Sequence, residues 1–276
     1  MKYIPFPGET MHKFTIIALI ATLLPLGAVQ ARPLPLIKVF CYHNIKTEAK
    51  QMYDVSVKEF EKQLDFLKKE GFISLFASEL IDVLKNPEKL DVSRSYAVIT
   101  FDDGNDGILK YAFNLLKKYQ FKATLYIYPS IIFAKMKNLR RPYMTWDEIK
   151  TLLQHPLFEL GSHSYYHPHL TKETAHGLKH NTVTAAKTLE KMLGQKPLTF
   201  AYPFGLRNEN VIKAIKDAGY LGAFSIDGTP LAGKNSLFDL PRHMITKNTS
   251  FEKFQSIALG KKMRTKSKNS HRIARK

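Results

Sequence analysis

The chain has 276 residues, 44% of them hydrophobic and 24% charged, with 14 glycines and 14 prolines. That is enough apolar material for a full core in one large domain or two small ones, and it excludes a disordered chain and a collagen-like repeat. Forty-two basic residues against 24 acidic ones give a formal charge of +18, which points to something anionic nearby. A single cysteine, Cys41, excludes an internal disulfide framework and any multi-cysteine metal site, so a bound metal must be held by His, Asp or Glu.

The first feature in chain order is an apolar run over residues 14–26, preceded by Lys13 and followed by small residues up to Ala31. It falls short of the ~20 residues a membrane-spanning helix needs. Val29 and Ala31 fit a cleavage site, so residues 1–31 read as a signal peptide, with Met11 as an alternative start and an uncleaved anchor as the competing reading. The remainder is then exported and is expected to be periplasmic, envelope-associated or secreted, which sets nucleic acid aside as a partner. Lys38-Val39-Phe40 lacks the small residue a lipid attachment site needs, so Cys41 reads as a buried strand residue.

Short runs rich in β-branched and aromatic residues follow at 37–42, 72–75, 96–101, 123–128, 158–160, 199–201, 222–226 and 242–246. Amphipathic helical patterns lie between them at 57–70, 108–119, 146–154, 174–193 and 208–218, and Gly71, Gly194 and Gly219 mark three helix ends. Strands that are apolar throughout and alternate with helices form a parallel sheet covered on its faces. The reading is one α/β domain over residues 32–260, mostly parallel, a barrel of seven or eight units.

The polar residues with chemistry to offer sit just past these strands: His43, Asp102 with Asp103, His163 with His167, the segment 203–205, and Asp227. In a parallel barrel the C-terminal strand ends share one rim, so residues far apart in sequence can converge there. In Thr100-Phe101-Asp102-Asp103-Gly104, successive aspartates serve one site only if the strand ends and the chain turns, which Gly104 permits. A cation on one carboxylate would leave the other as a base, with an Asx-type turn as the structural alternative. In His163-Ser164-Tyr165-Tyr166-His167, the four-residue spacing would bring both imidazoles to one side of a helical turn as ligands of one metal, with surface histidines as the alternative. Two histidines and a carboxylate leave positions open for water and substrate, the pattern of a catalytic metal.

From about Lys38 to about Lys247 the order and spacing of these motifs resemble the polysaccharide deacetylases of carbohydrate esterase family 4. The Thr100–Gly104 segment is similar to the family's first motif, the His163–His167 segment to its second, and Phe200-Ala201-Tyr202-Pro203-Phe204-Gly205 to its third. The resemblance implies a distorted (β/α) barrel with Asp102 as catalytic base and Asp103, His163 and His167 as ligands of one divalent ion. Zinc is the first choice, with nickel, cobalt or iron as alternatives. It also implies that the Phe204 backbone N–H meets the oxyanion and that Tyr202 and Pro203 form a groove wall. Tyr165, Tyr166, Asp227 and Arg242 are grouped with these as substrate-binding residues, and Asp227 could instead orient a catalytic histidine or simply make an Asp-Gly turn.

Two departures stand out. Members with the full motif set carry an arginine at the position of Ala201 to orient the catalytic aspartate, and the late Leu-x-His that delivers the general acid has a different spacing in Leu240-Pro241-Arg242-His243. Both losses, and the Tyr42-His43 pair, are similar to a branch of exported poly-N-acetylglucosamine deacetylases of biofilm systems. His43 and His243 are therefore the candidate acids. The implied activity is metal-dependent removal of N-acetyl groups from an N-acetylhexosamine polysaccharide of the cell envelope. The alternatives are an envelope carbohydrate-binding protein that kept the metal site without turnover, and a deacylase of peptidoglycan, a lipid-linked sugar or an O-acetyl ester.

Residues 261–276 carry eight basic residues and no acidic one. They read as a disordered tail that adheres to an anionic membrane or envelope polymer over a Debye length of about 8 Å. Truncation after Gly260 is expected to preserve activity on soluble oligomers and to weaken salt-sensitive retention on anionic vesicles. Equal sedimentation of truncated and full-length protein with such vesicles would remove this role.

Overall fold

Eight apolar runs need partners on both faces, and the way they find them sets the architecture. The structure, a computed structural model, describes residues 35–136, 142–228, 231 and 236–261. The signal peptide expected at residues 1–31 and the basic residues 262–276 lie outside the described residues. The strands in chain order are β1 (Leu36–Tyr42), β2 (Asn44–Lys46), β3 (Asp54–Ser56), β4 (Ile73–Leu75), β5 (Ser95–Asp102), β6 (Ala123–Ile127), β7 (Phe158–Ser162), β8 (Thr199–Ala201), β9 (Gly222–Phe224) and β10 (His243–Met244). All eight runs read from the sequence are strands of one sheet, ordered β10-β1-β5-β6-β7-β8-β9, with β4 against β5.

Every pairing in that sheet is parallel. β5 is shared: β4 covers its first half, from Tyr96 to Val98, and β6 its second, from Ile99 to Asp102. The sheet curls because one segment touches both edges. Leu240 bridges Phe224 of β9, with Ser225 N donating to Leu240 O at 2.8 Å, and three residues later His243 stands opposite Phe40 of β1. The result is a distorted (β/α) barrel, and the described residues from 35 onward belong to one compact unit. The short parallel pair β2–β3 is an addition that the sequence did not announce.

The helices are α1 (Val57–Lys69), α2 (Ala77–Lys85), α3 (Phe113–Tyr119), α4 (Pro129–Met136), α5 (Trp146–Leu153), α6 (Ala175–Lys179), α7 (Ala185–Leu193), α8 (Glu209–Asp217) and α9 (Phe251–Ala258). α1 starts where Ser56 Oγ accepts from Glu59 N and buries Phe60, Leu64 and Leu67. α5 opens on a reciprocal cap in which Thr145 Oγ1 accepts from Glu148 N and Glu148 accepts from Thr145 N. The expected long helices over 108–119 and 174–193 each contain a π-helical turn, at Ile108–Ala112 and His180–Thr184. No described helix is long and apolar enough to cross a membrane.

Gly161 in β7 leaves room for a ring. A Cβ there would lie 2.4 Å from two ring carbons of Tyr126, which is fully buried and whose hydroxyl is 3.0 Å from Thr199 Oγ1. Gly161→Ala is expected to cost ~1–3 kcal/mol through overpacking. Urea unfolding should show a lower midpoint with an unchanged slope.

Candidate active site

β5 delivers Asp102 as its last residue, and the backbone then leaves the strand abruptly, with φ of 70° at Asp103 and 74° at Gly104. This reversal puts both aspartates on one side. Five non-glycine residues among those described have positive φ, and four of them, Asp103, Ser164, His167 and Phe204, stand on this rim. Such backbone costs of order 1–3 kcal/mol per residue and persists where surrounding contacts impose it.

His163 follows β7 directly. Its Nδ1 lies 2.8 Å from Ala201 O, which fixes that nitrogen as the donor and turns Nε2 inward as a lone pair. The segment 163–167 is not a helical turn. The two imidazoles meet because Ser164 and His167 both take left-handed backbone, with φ of 71° and 60°, and Ser164 Oγ accepts from His167 N. Asn181 holds this loop from the π-helical turn: its Oδ1 accepts from Tyr165 N and Tyr166 N, while its Nδ2 donates to Gly177 O. The four-residue spacing thus identified the pair, but a strained loop rather than helical periodicity brings it together.

His163 Nε2 and His167 Nε2 are 3.1 Å apart, and each is 3.7 Å from Asp103 Oδ1. Burial, with His163 beside it, pulls the His167 imidazole down to about 4, so it is neutral near pH 7. Asp103 Oδ1 is buried without a hydrogen-bond partner. An unpartnered carboxylate oxygen facing two imidazole lone pairs fits a divalent cation. Ligand atoms about 2.1 Å from a common tetrahedral ion are about 3.4 Å apart, close to the spacings found.

Asp102 has a different environment. Arg242 Nη1 donates to its Oδ1 at 2.7 Å and Nη2 to its Oδ2 at 2.8 Å, and the Cys41 thiol donates to Oδ2 at 3.4 Å. Burial alone would raise this carboxyl; the guanidinium, with His163 next, outweighs it and holds Asp102 far below the usual carboxylate range. Cys41, His43 and Asp102 form a second group of possible metal donors, but Arg242 already occupies both oxygens of Asp102 with positive charge, which opposes a cation there.

Arg242 was expected to bind substrate, and the structure corrects this. The side chain has no exposed surface, and besides Asp102 it donates to Ser225 O and Thr100 Oγ1 and lies over the Tyr126 ring. It supplies from the segment before β10 the carboxylate-orienting fork that Ala201 cannot supply from β8.

These groups open into a recess of about 90 Å³ lined by His43, Tyr53, Asp102, Asp103, His163, His167, Tyr202, Phe204, Ile226 and Met244. Of the two acid candidates, His43 is in this wall, its ring stacked on Tyr53 at 4.9 Å, and burial lowers its pKa. His243 is not in the wall: its neighbour Met244 is, and successive strand residues face opposite sides. Tyr202 lines the recess, but its hydroxyl donates to Phe238 O. Pro203 is buried, and the half-exposed Phe204 ring packs on His167 and His169. Tyr165 and Tyr166 are absent from the recess and pack toward His180. Asp227 accepts from Arg207 Nη2 at 2.9 Å and from Ser225 Oγ, and its charge also reaches His243. No sequence motif flagged Tyr53 or Asn181.

A parallel barrel whose rim joins two carboxylates to two inward-facing imidazoles is a frame for metal-assisted hydrolysis. Residues 89–223 match the family model described as polysaccharide deacetylase. The chain is 27% identical over 216 residues to a poly-beta-1,6-N-acetyl-D-glucosamine N-deacetylase of Staphylococcus aureus, covering 75% of this chain and 73% of that protein. Bacillus subtilis YxkH is 29% identical over 182 residues, 66% of this chain, and the chain spans only 61% of that relative's length. Among solved structures, the Streptococcus pyogenes deacetylase PplD superposes with a TM-score of 0.73 at 22% identity, over 82% of this chain and 99% of that one. IcaB from Ammonifex degensii does so with 0.68 at 21%, over 82% and 97%. The fold is thus shared with these deacetylases.

Two predictions follow from the different holds on the two aspartates. Arg242→Met should destabilise the protein by ~3–5 kcal/mol because it strands a buried carboxylate, and adding Asp102→Asn should restore part of the loss; a double variant as unstable as the sum of the singles would show that the pair is not coupled. Alanine at Asp103, His163 or His167 should lower the metal content of purified protein, whereas Asp102→Asn should leave it. Equal metal loss in Asp102→Asn and Asp103→Asn would contradict the division of roles.

Proposed function

We propose that the protein is an exported, metal-dependent N-deacetylase acting on an N-acetylhexosamine polysaccharide of the poly-N-acetylglucosamine type. The observation that carries this reading is the convergence of Asp103, His163 and His167 beside a separately held carboxylate, Asp102, in a recess of about 90 Å³. Such a recess suits an acetyl-sized group while the sugar ring stays at the mouth, where Tyr53 and Phe204, 50% and 49% exposed, offer aromatic faces. The family domain supports a polysaccharide substrate, and the Staphylococcus aureus relative supports the choice of polymer.

A divalent ion on Asp103, His163 and His167, zinc being the first choice, supplies Lewis-acid polarisation and a more acidic water. The chain's own residues supply the rest. Asp102 accepts the proton of the water that attacks the acetamide carbonyl. Arg242 lowers the basicity of that carboxylate, so its contribution is to fix orientation and keep the group ionised. The Phe204 N–H donates to the developing oxyanion. His43, whose donor atom is within 4.8 Å of the Asp102 carboxylate, carries a proton onward to the leaving amine.

Metal-loaded protein incubated with acetylated glucosamine oligomers should release acetate, seen as stepwise loss of acetyl mass. Chelator should stop the reaction and added metal restore it, and Asp102→Asn should slow it ~10²- to 10⁴-fold. Binding of the oligomers without acetate release would overturn deacetylation in favour of a carbohydrate-binding protein, and release from ester substrates alone would favour an O-deacylase.

A further inference from the structure

The loop that carries the two histidines has an outer side that the recess does not use. Tyr166, adjacent in sequence to His167, is 59% exposed, the most exposed of the large apolar side chains among the described residues. Its ring lies parallel to that of His180, 10° apart in plane with centroids 5.2 Å apart, and Tyr165 packs against both at 4.6 Å. One face of Tyr166 is therefore fixed by stacking and the other is open.

A depression of about 310 Å³ adjoins this stack, walled by Tyr166, Pro168, Glu173, His176 and His180. That is the lower end of the size range for small-ligand sites. Its polar equipment is specific. The half-buried Glu173 carboxylate lies over Gly177, where a Cβ would meet Oε2 at 2.0 Å, so the helix backbone seats it. His180 Nε2 is shielded from solvent and has no hydrogen-bond partner. His180 also begins the π-helical turn, an irregularity that recurs at functional sites.

An aromatic face beside a carboxylate suits a ligand with an apolar C–H face and a rim of hydroxyl or amide N–H groups, as a pyranose has. The carboxylate disfavours a phosphate or another anion. Tyr166 lines the depression and its neighbour His167 lines the recess, so a chain crossing that loop reaches both. We infer that the depression between Tyr166 and α6 is a second carbohydrate subsite, which grips a neighbouring N-acetylhexosamine unit of the polymer whose reacting unit lies at the recess. The inference rests on the proposed deacetylase reading, from which it is separable by experiment.

The test compares acetylated glucosamine dimer and hexamer on wild type, Tyr166→Ala, His180→Ala and Glu173→Gln. Wild type should prefer the hexamer in kcat/KM, and each variant should lower the hexamer-to-dimer ratio, about tenfold for Tyr166→Ala, whose stacking surface is lost. An unchanged ratio in folded variants would overturn the subsite, as would a wild type indifferent to length. Calorimetric titration of chelator-treated protein with the same oligomers gives a readout independent of turnover. Hexamer affinity that exceeds dimer affinity and falls in the variants supports the subsite even if no acetate is released, in which case only the deacetylase reading fails. Equal affinity for dimer and hexamer overturns it.

Discussion

A carboxylate that is 2% exposed needs a counter-charge of matching geometry, and Arg242 supplies it to Asp102. Breaking a buried pair of this kind leaves a stranded charge at a cost of several kcal/mol. The fork is itself aimed by Ser225 O after β9, Thr100 Oγ1 on β5 and the Tyr126 ring on β6. Three separate strands and the barrel-closing segment must therefore be in place before Asp102 is held. The room that Gly161 leaves for Tyr126 belongs to the same arrangement. The outcome is a buried carboxylate that stays ionised beside a His167 imidazole that stays neutral.

The second constraint lies in the backbone. Asp103, Ser164, His167 and Phe204 all take conformations that L-residues avoid. Ser164 Oγ and Asn181 Oδ1 satisfy the amides of the histidine loop, and Ser130 N donates to Tyr165 O. These bonds let a loop position two imidazole nitrogens with the tolerance expected of a strand or helix.

The fold was legible because its signals are local. Runs such as 96–101 and 123–128 are too continuously apolar for one-sided strands, and each became a buried parallel strand. Asp102, Asp103, His163 and His167 were visible because each follows such a run directly. Arg242 was singled out, but as a substrate-binding residue; its hold on Asp102 exists only where the 240–244 segment folds between β9 and β1, and nothing near residue 242 in sequence reveals that Thr100 and Asp102 lie beside it. The missing arginine at Ala201 was the one indirect signal: it said that a carboxylate needed another partner without saying which. Tyr53 and Asn181 act through contacts that no spacing rule encodes, the first by stacking on His43 and the second by capping a loop 15 residues away.

A recess of about 90 Å³ takes in a side group and leaves the ring that bears it outside. A polymer lying across the mouth can be engaged at any interior unit, and what leaves is a chain of the same length. On the proposed deacetylase reading, each event would turn one neutral residue into a cationic one, so the material rewritten would be the charge pattern of the polymer and not its size.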